Sequence, residues 1–366
     1  MTDSFEIDFL DVETTKSGDA IAMRYTIDAV TQIHVVDGGY VDTGTSLSAH
    51  IKKHYDNPNF IDRVIVTHPD GDHVNGLRTI LEDFEVGELW MLRPWNYVDE
   101  LLPRFARYSN ADNLKARLKE IYPYIATLEE MALAKGIEIV PPFQGLYIGP
   151  FVVLAPTKAR YLDLIVESDK TPESVADEQR TFAETAADAL DALVAKVVTV
   201  VNMVRASWGE EAFSAESTSA ENEMSVVQYA NIAGKKILLT GDAGREALTE
   251  AADYAEQTVV VLPGIDRIQV PHHGSRRNVS TEILDRWLGP RLEQQPAAGQ
   301  GSFTAIISSA KADKDHPRKA VVRAFIHRGA NVVTTEGKTV CTYLNSPDRA
   351  GWSAITPEGY PDDQEE

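Results

Sequence analysis

Four apolar runs in this chain stop abruptly at aspartate or histidine, and that repetition constrains the fold more than any other feature. They are IHVVDGG, with Asp37 at its end; VIVTHPDGDH, residues 64–73; ILLTGD, ending at Asp242; and IQVPHHG, with His272 and His273. A short β-branched run closed by turn residues reads as a buried strand. Aspartate and histidine are oxygen and nitrogen ligands for a divalent cation. A single ending of this kind is an ordinary turn. Four of them suggest a fold in which separate strands bring their ends to one sheet edge. The second ending offers four candidate ligands by itself, His68, Asp70, Asp72 and His73, and Pro69 and Gly71 bend the chain so that they can converge.

The remaining pattern fixes the class. FEIDFLDV, AIAMRYTI, ELWMLRP, GIEIVPPF, LYIGPFVVLAP and SVVQYANIAGKKILL read as strands, as do TVVVLPGI, SFTAIISS and NVVTTEGKTVCTYL. GLRTILEDF, residues 111–135 (with Gly136 as C-cap) and KAVVRAFIHRG read as helices. Strand runs each closed by a helix indicate an α/β sandwich rather than a doubly wound sheet. Residues 1–157 and 222–345 form its two parts, and 346–366 are an acidic tail. Between the parts, residues 158–221 read as an insertion with 13 acids against 6 bases. There Phe182, Ala186, Leu190, Leu193, Val197, Val201, Val204 and Trp208 recur at helical spacing, which suggests a long amphipathic helix. Such a helix packs on the parent domain or serves a homodimer or a partner protein. The following SAESTSAENE reads as a mobile loop.

The 366 residues carry a net charge of -21, which argues against a general nucleic-acid-binding surface. One cysteine, Cys341, suits a reducing, cytoplasmic setting. No signal peptide and no bilayer-length apolar run is visible, so no membrane association is expected.

The set of strand endings resembles the metallo-β-lactamase superfamily, which implies an αββα sandwich. More narrowly it resembles the hydrolase domain of DNA-uptake channel proteins of the ComEC type, which carry H-x-D-x-D-H as in His68-x-Asp70-x-Asp72-His73. Asn222 to Ser225, LLTGD at Leu238–Asp242, HHGS at His272–Ser275 and His316-Pro317 match further motifs of that group. The opening LDVGQGD stands here as the longer LDVETTKSGDA. The wider superfamily's third-motif histidine is missing, with Asn222 or Ser225 nearest its place.

The resemblance implies one or two metal ions. His68 and Asp70 would hold one; Asp72, His73 and a histidine of the HHGS turn the other, His273 being preferred. Asp242 would bridge them. Asp37, Asn222, Ser225 and Ser275 would support the ligands, and Asp72, Asp242, His272 and His316 would stand beside the reacting atoms. So oxygen-rich a set favours manganese beside zinc. Arg276, Arg277 and Lys311 follow strands that end at the metal edge and suit phosphate oxygens. The expected activity is therefore that of a metallo-hydrolase, a phosphodiesterase or nuclease acting on nucleic acid or a nucleotide. Overall acidity favours hydrolysis of a small ester, thioester or lactam instead. The missing third-motif histidine would suit a metal-poor scaffold that binds through the insertion.

Overall fold

The computed structural model describes residues 2–171, 203–258, 260–297 and 299–365. Its strands in chain order are β1 (Ser4–Phe9), β2 (Ala20–Ile27), β3 (Val30–Gly38), β4 (Phe60–Ile65), β5 (Glu85–Trp90), β6 (Glu138–Val140), β7 (Tyr147–Ile148) and β8 (Phe151–Ala155). There follow β9 (Met203–Arg205), β10 (Val227–Ile232), β11 (Lys235–Leu239), β12 (Arg267–Gln269), β13 (Phe303–Ile307), β14 (Ala330–Thr334), β15 (Val340–Leu344) and β16 (Asp363–Glu365). One sheet has the order β15-β1-β2-β3-β4-β5-β6, the other β14-β13-β12-β11-β10-β8-β7.

Both sheets are half antiparallel and half parallel. β15, β1, β2 and β3 form a meander-like half, whereas β3 to β6 run parallel. In the second sheet β11 to β14 run parallel, and β7, β8, β10 and β11 antiparallel. Parallel neighbours need a crossover, and helices supply it. Val41–His54 joins β3 to β4, and Arg245–Thr258, Thr281–Leu288 and Lys319–His327 join β11, β12, β13 and β14 in turn. The expected αββα sandwich is the observed architecture.

Alternation along the strands shows how it is filled. Ile237 and Leu239 of β11 face the cluster shared with the first sheet, whereas Leu238 between them packs under the outer helices with Ala251, Ile283 and Phe325. The second sheet is thus apolar on both faces, which is why its strands read as continuous rather than alternating hydrophobic runs.

Several expectations need correction. Residues 111–135 form two helices, Ala111–Ile121 and Pro123–Lys135, because Pro123 cannot donate back to the preceding turn. The second does end on Gly136 in the left-handed region. The described residues of TVVVLPGI form no strand. Thr258 closes a 14-residue helix, and Val260 and Ile265 are buried from irregular chain while Val261 is 80% exposed. β11 already has β10 and β12 as neighbours, so no edge is left for this run. The Phe182–Trp208 stripe falls largely on residues 172–202, outside the described residues. Its described end is not helical. Val204 lies in β9, paired with β16, and the Trp208 ring packs edge-on against His327.

The polar run before β10 is likewise ordered, with Ser219 capping the buried turn Ala220–Glu223. Glu223 in turn accepts from the backbone N–H of Ala247 at 2.7 Å, at the start of the following helix. The acidic end docks as well. Glu365 accepts from the N–H groups of Lys319 (3.0 Å) and Ala320 (2.9 Å), a carboxylate at a helix N-terminus. Among the described residues no helix is long and apolar enough to cross a membrane.

Candidate metal centre

The carboxyl ends of parallel strands from both sheets meet at one edge, where open α/β sheets place their ligands. Asp37 stands at the end of β3, in the left-handed region (φ 56°) at a register shift in the β2–β3 pairing. Such a bulge re-aims a side chain, and Asp37 is turned onto the histidine loop that follows β4. Its Oδ1 accepts from Thr67 N at 2.9 Å. Its Oδ2 accepts from Thr67 Oγ1 at 2.6 Å and from His73 Nδ1 at 2.8 Å. The glycines make this approach possible. A Cβ at Gly76 would lie 1.9 Å from the Gly38 carbonyl oxygen.

The histidines share one logic. Thr67 Oγ1 gives its proton to Asp37, so it accepts from His68 Nδ1 at 3.1 Å. His273 Nδ1 donates to Ser308 O at 2.9 Å. Asn278, whose amide donates to Asp242 O, presents Oδ1 to His272 Nδ1 at 3.0 Å. Each Nδ1 proton is thereby held by its own acceptor, and each Nε2 is directed toward Asp242. Asp242 Oδ1 lies 3.4 Å from His73 Nε2 and 3.8 Å from His273 Nε2. Asp242 Oδ2 lies 3.7 Å from both His68 Nε2 and His272 Nε2. The sequence reading chose between His272 and His273; the structure brings both to the same carboxylate, on opposite oxygens. Consecutive residues reach it because both adopt left-handed backbone, φ 46° and 53°.

Asp72 Oδ2 sits 4.0 Å from His73 Nε2 and 3.9 Å from His273 Nε2. Asp70 Oδ2 is 4.0 Å from His68 Nε2, but its Oδ1 accepts from Lys170 at 2.8 Å. Ser225 Oγ accepts from Asp242 N, and Asn222 lies 3.1 Å from His272 Nδ1, beside the ring. Ser275 Oγ accepts from Arg277 N instead.

Asp19 was missed by the sequence reading. One ligand atom each from Asp19, His73, Asp242 and His273 lies within 4.8 Å of the others. Its signal was present, as the last acid of LDVETTKSGDA directly before β2. That segment is pressed onto the histidine turn: Asp19 N donates to Asp72 O at 3.2 Å, and a Cβ at Gly18 would meet that oxygen at 2.7 Å.

The donor set fits a divalent cation. Nε2 of His68, His73 and His273, Oδ1 of Asp242 and Oδ1 of Asp19 are buried with no hydrogen-bond partner. Buried polar atoms left unpaired cost free energy, and one cation among Asp19, His73, Asp242 and His273 answers four of them, while His68 Nε2 stands on the Oδ2 side of Asp242. The electrostatics agree. Burial pushes His68 down, toward the neutral form a ligand needs. Burial also opposes charge on His73, but the carboxylates of Asp242, Asp37 and Asp72 hold it well above the usual imidazole range. Against burial, His73, His272 and His273 hold Asp242 well below the usual carboxylate range. The cluster calls for positive charge. Asp37→Asn, which leaves every ligand in place but gives His73 an amide to face, is expected to weaken metal affinity about 10–100-fold. Competition against a chromogenic chelator measures it.

The centre forms one side of an open cleft of ≈ 450 Å³, lined also by Lys16, Tyr124, Asp313 and His316. His316 Nδ1 lies 3.4 Å from Asp313 Oδ2, and burial followed by the charges of His273 and His272 pulls its pKa down to about 4. Arg276, Arg277 and Lys311 do not line this cleft. Arg277 is half exposed and ion-paired with Glu216.

Residues 40–112 match the family model of the metallo-β-lactamase superfamily. Similar solved structures include a diphosphatase of the PhnP family, 10% identical over 93% of this chain and 98% of that one, TM-score 0.37. The metallo-β-lactamase SMB-1 bound to 2-mercaptoethanesulfonate is 8% identical over 73% and 82%, TM-score 0.30. CmlA, a diiron β-hydroxylase from Streptomyces venezuelae, is 12% identical over 91% and 44%, TM-score 0.33. No curated protein matches the chain. The superfamily model covers the histidine turn itself, and the two mixed sheets close around it as an αββα sandwich, an architecture consistent with the metallo-β-lactamase fold.

Proposed function

We propose that this chain is a metal-dependent hydrolase of phosphate esters, a phosphodiesterase or nuclease of the ComEC-like kind. The observation that carries the reading is the convergence of partnerless buried donors on Asp242 beside an open cleft. A divalent cation bound there would lower the pKa of a water and polarise a phosphoryl oxygen. The protein's own residues do the positioning. Nδ1 donation to Thr67, Asp37, Ser308 and Asn278 fixes the four imidazoles, and Ser225 and Asn278 hold the Asp242 backbone. Asp19, Asp72 and Asp242 make the set oxygen-rich, which supports manganese beside zinc.

A second reading, hydrolysis of a small ester, thioester or lactam, is favoured by the cleft's own charge. Asp72 and Asp313 line it, and its ammonium group, Lys16, is paired with Asp315 at 2.6 Å. Turnover of bis-p-nitrophenyl phosphate and of a chromogenic lactam, each with Mn²⁺ and with Zn²⁺, separates the two. The expected result is a kcat/KM for the diester at least about tenfold above that for the lactam, roughly 1.4 kcal/mol in the transition state. Lactam turnover alone overturns the phosphate reading. Failure to retain any metal after loading would leave a scaffold.

A further inference from the structure

The two oxygens of Asp242 divide the centre into halves that are not equivalent. Around Oδ1 stand His73, His273, Asp72 and Asp19. Around Oδ2 stand His68, His272 and Asp70. In that half a cation is already built in. Lys170 donates to Asp70 Oδ1 at 2.8 Å, and its Nζ lies 3.9 Å from Glu221 Oε2.

The lysine is held in place from behind. Its backbone N donates to Ser168 Oγ at 3.1 Å, and Thr171 Oγ1 donates to the carbonyls of Ile165 and Ser168. Ser168 Oγ and Tyr122 OH both donate to Glu221 Oε1. Lys170 therefore reaches the histidine turn from a fixed loop that leaves the helix Lys158–Glu167.

We infer that Lys170 makes this a one-metal centre: its ammonium takes the charge of Asp70 and occupies the electrostatic place of a second ion, so that only the His73–His273 half binds metal tightly. The inference rests on the proposed metal centre and goes beyond it in assigning the number of ions and the residue that sets it. The physical reason is simple. A hard divalent cation is held by anionic oxygen, the half around Oδ2 has one carboxylate besides the shared Asp242, and that carboxylate is neutralised. A second divalent ion would also sit beside a fixed positive charge, and that repulsion is strong in a site partly screened from water.

The test is metal binding, read by calorimetric titration of chelator-stripped protein with Mn²⁺ and by metal analysis after dialysis. Wild type is expected to hold one tight equivalent and to take a second only weakly. Lys170→Met should tighten the second by at least about tenfold, the effect of removing one nearby unit charge. Lys170→Arg, which keeps the charge, should behave as wild type. Asp70→Asn should leave the tight equivalent in place, a readout that stands even where Lys170→Met folds poorly. Two equally tight equivalents in wild type, an unchanged second site in Lys170→Met, or loss of the tight ion in Asp70→Asn overturns the inference and leaves the metal centre standing. No tight ion in any of the four proteins overturns the centre and the inference together.

Discussion

Asp242→Ala is expected to abolish hydrolysis, with a loss of at least about a thousandfold in kcat/KM, roughly 4 kcal/mol of transition-state stabilisation. Its carboxylate is the group on which four imidazole Nε2 atoms converge, and among the described residues no other side chain spans both halves of the centre. Metal content should fall with activity. Asp72→Ala provides the control for folding. Its side chain is 29% exposed and stands outside the apolar core, so the purified variant should unfold at the wild-type temperature while turning over no substrate. Metal analysis, thermal unfolding and diester turnover on the same preparations decide it. Wild-type turnover by either variant would mean that the reacting centre lies elsewhere.

The largest effect on stability is expected from a residue with no part in the chemistry. The Glu211 side chain is buried, with Oε1 2.6 Å from Arg328 Nη1 and 3.0 Å from His327 Nδ1, and Arg328 continues to Asp285 at 2.6 Å. Removing one member of such a network strands the opposite charge in the interior. Glu211→Ala should therefore cost about 3–5 kcal/mol in unfolding free energy by urea titration.

The network should also mark the acid limb. Burial opposes ionisation of Glu211, but hydrogen bonds from His327 and Arg328 outweigh it and hold its pKa near 2, below the ordinary 4.5. A carboxylate depressed in the folded state stabilises above its unfolded pKa, and that stability is lost as pH falls through the folded one. Wild type should thus lose stability between about pH 4.5 and 2 with a slope that Glu211→Gln lacks. Equal slopes would show that Glu211 does not set the acid limb.

Much of the centre could be read from local sequence. A β-branched run that stops at His68, Asp242 or His272 announces a buried strand whose end is polar, and such an end belongs at a sheet edge. The sandwich followed from strand runs closed by helices. Local pattern failed where partners were decided elsewhere. TVVVLPGI has the composition of a strand, but β11, which precedes it in the chain, pairs with β10 and β12. NVVTT and TVCTYL are neighbours in sequence, yet β14 joins β13 while β15 crosses to β1 in the other sheet.

The sequence by itself determined which residue types gather at the centre, because each candidate ligand and the turn that frees it lie within a few residues. Only the tertiary structure decided how the ligands are shared. Asp19 joins because the KSGD segment is pressed onto Asp72, and His272 and His273 take opposite oxygens of Asp242 because their backbone is left-handed. Arg276, Arg277 and Lys311 lie close in sequence to the motifs but do not line the cleft, whereas Lys170 donates to Asp70 from a hundred residues away. Charge acts through distance in space, and sequence separation does not report that distance.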